Sequence, residues 1–100
     1  MGSIETGKKV LQTEANAILK ALDKNNHQFE TAVDLIFQCR GQLVVTGMGK
    51  SGLIGRKIAA TMTSIGCPAV FLPPAEAIHG DIGIIHAEDA VIALSTSGET

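Results

Sequence analysis

Three short aliphatic runs, each feeding a polar loop, constrain this chain more than any other feature. Gln42–Thr46, Pro68–Leu72 and Ala90–Leu94 carry no charge and consist mostly of Val, Ile, Leu and Ala. That is the composition of strands buried on both faces, as in parallel sheets. Between the first two runs, Leu53–Ile65 repeats apolar residues at helical spacing (Ile54, Ile58, Met62, Ile65), and Gly66 follows as a stop. Strand, helix, strand, loop and strand in that order predict an α/β fold, a doubly wound parallel sheet covered by helices on both faces. Its crossovers are expected to be right-handed.

Two helices are expected ahead of the sheet. Leu11, Ala15, Ile18 and Leu22 form one stripe over roughly Ser3 to Lys24, ended by Asn25-Asn26. A second helix starts near His27, with Phe29, Val33, Ile36 and Phe37 expected inward and Gly41 closing it. One hundred residues leave room for one domain at most. The loop expected to open at Thr100 should lead into a further helix, so the chain is read as the front part of a single, longer domain.

Charge and composition narrow the function. A net charge of −2 and a pI near 5.8 give no basic footprint for nucleic acid. Three Phe with no Tyr or Trp offer no stacking platform for single strands. Cys39 and Cys67 stand far apart outside any CxxC or zinc pattern and read as free thiols of a reducing compartment. No apolar run reaches the roughly 18 residues that would span a membrane, and the start of the chain, with Glu5 and Glu14, resembles no signal peptide. The expected location is the cytoplasm.

Ligands of doubly wound sheets bind at the carboxyl ends of the strands. Here those ends are three loops. Gly47-Met-Gly-Lys-Ser-Gly52 matches G-x-G-x-x-G, yet the acidic residue expected after the next strand is absent, where Leu72 runs into Pro73-Pro74. It is not a Walker A loop either, because Val44 stands where the first glycine belongs. What remains is a glycine turn with Lys50 at its crest, Gly49 and Ser51 beside it, and the N–H groups of the following helix to favour an anion. Ser95-Thr-Ser-Gly-Glu-Thr100 supplies four hydroxyls, from Ser95, Thr96, Ser97 and Thr100. Such a set suits a phosphate monoester, with helix capping by the serine and Glu99 as the plainer reading. The middle loop carries His79, able to move protons near neutral pH, and Asp81, able to orient it. A structural role for His79 fits its residue type equally well. Arg56, Lys57, His27 and His86 are expected on the surface, and Glu76 reads as a helix-start charge as readily as a site residue.

Taken together, Thr46-Gly-Met-Gly-Lys-Ser-Gly52, Pro74-Ala-Glu-Ala with His79-Gly-Asp81, and Ser95-Thr-Ser-Gly-Glu99 resemble the sugar isomerase (SIS) domain of the D-arabinose 5-phosphate isomerases, over nearly the whole chain. The resemblance implies a five-stranded parallel sheet with flavodoxin-like winding and a homo-oligomer, dimer or tetramer, with active sites near subunit interfaces. It implies interconversion of D-ribulose 5-phosphate and D-arabinose 5-phosphate on the way to the lipopolysaccharide sugar Kdo. Lys50 and His79 fall on positions regarded as catalytic or substrate-contacting. Gly66-Cys67 falls on a substrate-contacting turn, and Ser95 to Thr100 begins the phosphate-binding loop. Many members continue into a pair of CBS domains, which this sequence does not contain. Several relatives place a metal-binding histidine where Pro73 stands, so no metal is expected here, and no cofactor. The family's further glutamates and later histidine would lie beyond Thr100.

The expected chemistry is an aldose–ketose isomerisation through an enediol, with Lys50 stabilising the enediolate and His79 assisting ring opening or proton movement. A sugar-phosphate sensor would share the sheet and the Ser/Thr loop without needing Lys50 or His79. Such sensors usually begin with a DNA-binding domain, which the lead helices do not resemble. A nucleotide-binding oxidoreductase is the third reading, weakened by the missing acidic residue.

Overall fold

The computed structural model describes residues 2–78 and 80–98, with the backbone alone for Asp81. Two compact units are present, Met1–Asp34 and Leu35–Thr100. The first holds helix α1 (Ser3–Lys24) and the start of helix α2 (His27–Phe37). Neither helix buries a residue. Phe29, Val33 and Phe37 are exposed, Phe37 by 88%, and Ile36 alone of the four packs against the core.

The second unit holds strand β1 (Leu43–Gly47), helix α3 (Gly49–Ser64), strand β2 (Ala69–Phe71), helix α4 (Pro74–Ile78), a 3₁₀ turn at Asp81–Ile84, and strand β3 (Ala90–Leu94). The strands form one parallel sheet in the order β2–β1–β3. Both the α/β class and the parallel winding follow the sequence pattern. β1 lies at the centre, and its Leu43, Val44 and Val45 are the largest fully buried side chains. The middle segment holds α4 and the 3₁₀ turn, and residues 85–89 carry no helix or strand.

Helix α3 packs differently from its sequence stripe. Its buried residues are Gly52, Gly55 and Ala59, while Ile54 and Ile65 are exposed and Ile58 and Met62 half-buried. The cause is close approach. A Cβ on Gly55 would sit 3.0 Å from the Phe71 ring and 3.2 Å from Val45 Cγ1. The small-residue side thus meets the sheet, and the larger aliphatic residues flank it. Arg56 is exposed as expected, and its guanidinium lies 4.3 Å from the centroid of Phe71.

The amino ends of β1 and β3 are joined by Asp89. Its carboxylate accepts from the Gln42 N–H at 2.9 Å and the His86 N–H at 2.8 Å, while the Gly41 N–H donates to the Glu88 carbonyl at 3.0 Å. A Cβ on Gly41 would collide with the Asp89 carboxylate. The two backbone donors hold the Asp89 carboxyl below its ordinary pKa of 3.8. A depressed folded pKa adds stability that is fully present above the unfolded value and is lost as pH falls through the folded one. Asp89→Asn is therefore expected to lower stability at neutral pH and to flatten the acid limb below about pH 4 in a series of urea titrations. An acid limb of unchanged slope would remove Asp89 from that role.

Candidate active site at the carboxyl edge of the sheet

Parallel pairing brings the carboxyl ends of β1 and β3 to one edge, with Gly47 opposite Leu94. The chain leaves β1 at Gly47 and enters α3 at Gly49, so the expected open loop of 47–52 is for the most part helix. Lys50 and Ser51 accordingly sit in the first helical turn, not at a loop crest. Glycines permit so short a junction. Gly49 has φ +58°, a left-handed conformation costly for other residues. A Cβ on Gly52 would stand 2.5 Å from the Gly47 carbonyl oxygen. Gly47 and Gly52 thus serve contact between helix and strand, and the first turn of α3 is held directly against the end of β1.

Across the edge, the segment after β3 turns at once. Ser95 Oγ accepts from the Gly98 N–H at 2.8 Å, and Gly98 has φ +81°. Ser95 thus closes a turn onto Gly98, and no helix follows β3 among the described residues. Thr96 and Ser97 are exposed beside it, and Thr96 Oγ1 lies 3.4 Å from Ser51 Oγ. That contact unites the first and third loops, and no spacing in the sequence announces it. Only their shared position after neighbouring strands could have suggested it.

Lys50 is exposed at the start of α3, and no acidic residue lies in that first turn. A cation there opposes the helix dipole, an arrangement that disfavours the lysine by about 0.3–1 kcal/mol and is relieved when an anion arrives. Directly before the junction, Thr46 Oγ1 is buried with no hydrogen-bond partner among the described residues. An unpaired buried hydroxyl costs about 1–3 kcal/mol, so Thr46→Val is expected to raise the urea midpoint by an amount equivalent to about 1 kcal/mol. A lowered midpoint would mean that the hydroxyl is satisfied in solution.

Other candidates lie elsewhere. Gly66 and Cys67 precede β2, whose Ala69 is level with Leu43 at the start of β1. They belong to the amino edge of the sheet, and Cys67 packs against the core cluster of Leu43, Val45 and Ala59. The structure does not bring them to Lys50, Ser51 or Thr96. Cys39 and Cys67 are both free. Glu76 lies in the first turn of α4, and His27 and His86 are exposed. His79, Glu99 and Thr100 lie outside the described residues, as does the side chain of Asp81.

The site can thus present one ammonium, hydroxyls from two chain segments and the free N–H groups of a helix start. These are donors for an anionic, oxygen-rich ligand. The SIS domain family profile matches residues 35–100, the unit that contains the sheet and this edge. The chain belongs to the SIS domain family. Among curated SIS relatives, the arabinose 5-phosphate isomerase KdsD of Yersinia pestis is 50% identical over 96 residues, 96% of this chain and 29% of that protein. The chain therefore spans about three tenths of the length of that relative. A solved Bacteroides fragilis protein, described as a phosphosugar isomerase involved in capsule formation, superposes with a TM-score of 0.90 at 43% identity. The match covers 99% of this chain and 53% of that one. An E. coli protein solved in complex with arabinose 5-phosphate gives 0.88 at 36% identity, covering 100% of this chain and 55% of its own.

Proposed function

We propose that the protein containing this chain is an aldose–ketose isomerase that interconverts D-ribulose 5-phosphate and D-arabinose 5-phosphate through an enediol. The observation that carries this reading is the joined edge of Lys50, Ser51 and Thr96, in a chain 50% identical to a curated arabinose 5-phosphate isomerase. The Ser/Thr turn and the N–H groups at the start of α3 would hold the phosphate. Lys50 would stabilise the charge developing on the enediolate oxygen, and His79 would assist ring opening or proton movement. The base that moves a proton between C1 and C2 is assigned to no residue of this chain. Product destined for Kdo and lipopolysaccharide, a homo-oligomeric cytoplasmic enzyme, and a chain forming the amino-terminal part of one SIS domain complete the proposal. None of the described helices is long and apolar enough to cross a membrane.

The test is to supply D-ribulose 5-phosphate to the full-length protein and measure D-arabinose 5-phosphate. Conversion supports the isomerase. Tight binding of the sugar phosphate by a folded full-length protein that converts none would replace it with the sensor reading.

A further inference from the structure

We infer that Arg56 is a positioning residue that grips Phe71 and so sets the spacing between the helix carrying Lys50 and the strand leading to His79. The inference rests on the isomerase reading above. β2 is three residues long and, among the described residues, is paired on one side only, to β1. So short a strand has few ladder bonds, and its place depends on side-chain contacts. Toward the end of α3, Thr63 Oγ1 is shared between the carbonyls of Ala59, on its own helix, at 2.9 Å and Ala69, on β2, at 3.1 Å. Toward its start, α3 offers β2 a glycine surface. Cβ atoms on Gly52 and Gly55 would stand 3.5 Å from Phe71 Cζ and 3.0 Å from Phe71 Cε1. That surface limits how closely the ring approaches but does not hold it laterally. Arg56 supplies the hold. Its guanidinium lies 4.3 Å from the ring centroid, inside the roughly 6 Å over which an aromatic face attracts a cation. The half-buried ring thus has its edge against the glycines and its face under the guanidinium.

Arg56 is exposed, and no carboxylate among the described residues forms an ion pair with it to compete with the ring. Phe71 is the last residue of β2, level with Val45 of β1. From it the chain passes through Leu72 and Pro73 into α4 and on to His79. On the other side of the contact, Gly52 is two residues from Lys50. In the proposed mechanism Lys50 and His79 act on one sugar, so the spacing of these two segments governs the rate. Displacements of about 1 Å in such groups cost up to about 10²-fold. Neither Arg56 nor Phe71 belongs to the hydroxyl turn or the helix start that would hold the phosphate, so loosening the grip removes no substrate contact.

Arg56→Met keeps an unbranched side chain and deletes the charged plane. In the full-length protein it should lower kcat about 5-fold, within that positional range, with KM changed by less than about twofold. Arg56→Lys should recover part of kcat, since an ammonium is attracted to the ring face but cannot stack on it. Phe71→Leu should lower kcat as well, and adding Arg56→Met to it should change kcat no further, because the grip is already gone. An equal loss from Arg56→Met in the Phe71→Leu background would overturn the inference. So would a raised KM at unchanged kcat, which marks a direct contact with the anionic substrate. A lowered urea midpoint at the parent kcat would reduce the contact to a structural one and also overturn it. Crystal structures of the parent and Arg56→Met proteins separate this inference from the isomerase reading, since they need no turnover. The first two turns of α3 should shift relative to residues 71–73. Unchanged spacing overturns the positioning role whether or not the parent protein proves to be an isomerase.

Discussion

Replacing Lys50 by alanine in the full-length protein is expected to lower kcat for pentose 5-phosphate isomerisation by about 10²–10³-fold, the worth of one donor aimed at developing charge. Folding should be untouched or slightly improved. The side chain is exposed, and it stands at the positive end of α3 with no acidic neighbour in the first turn. Removing a cation from there relieves an unfavourable dipole contact of about 0.3–1 kcal/mol. The two effects have opposite signs, which makes the variant informative. A stability gain with a large rate loss is what a charge retained for chemistry produces. Parent-rate turnover by a well-folded Lys50→Ala protein would end the proposed role. Lys50→Arg refines the result, because it keeps the charge and spreads it over a planar fork of different reach. Partial recovery of kcat is expected, since in the proposed mechanism the enediolate oxygen would need a donor at a defined place as well as a positive field.

The same residue shows what the sequence could and could not disclose. Aliphatic runs separated by a helical stripe were enough to predict a parallel α/β sheet, because burial on both faces demands that composition. The ligand edge was legible as well, since the polar loops fall after the strands. The start of α3 was not. Gly47-Met-Gly-Lys-Ser-Gly52 read as a loop because glycine is a poor helix former. In the fold those glycines permit a helix to begin two residues beyond the strand, and Lys50 becomes a helical residue. How α3 meets the sheet was not legible for a related reason. Periodicity marks the stripe of Ile54, Ile58, Met62 and Ile65, of which Ile58 and Met62 pack against the core, whereas the fully buried positions are Gly52, Gly55 and Ala59. An interface chosen by close approach favours small residues over large ones, which a hydrophobicity pattern cannot register. The pairing of Ser51 with Thr96 depends on strand order, so local sequence contains no trace of it.

Gly52 supplies the second large effect, on stability. Gly52→Ala is expected to destabilise the full-length protein by about 2–3 kcal/mol, within the range for overpacking a tight contact. Gly55→Ala should cost less. At Gly55 the added methyl meets the Phe71 ring and Val45 Cγ1 at 3.0–3.2 Å, and side chains can rotate away. At Gly52 it meets the Gly47 carbonyl oxygen at 2.5 Å, and backbone in a central strand has no comparable freedom. Relief requires α3 to lift from β1, which also withdraws Lys50 and Ser51 from the edge they share with Thr96. The loss in thermal midpoint should therefore be accompanied by a fall in kcat, measured well below that midpoint so that unfolding does not contribute. Equal destabilisation by the two alanine variants would show that helix and strand have slack at their junction. In that case the glycines would be required for the turn at Gly49 alone.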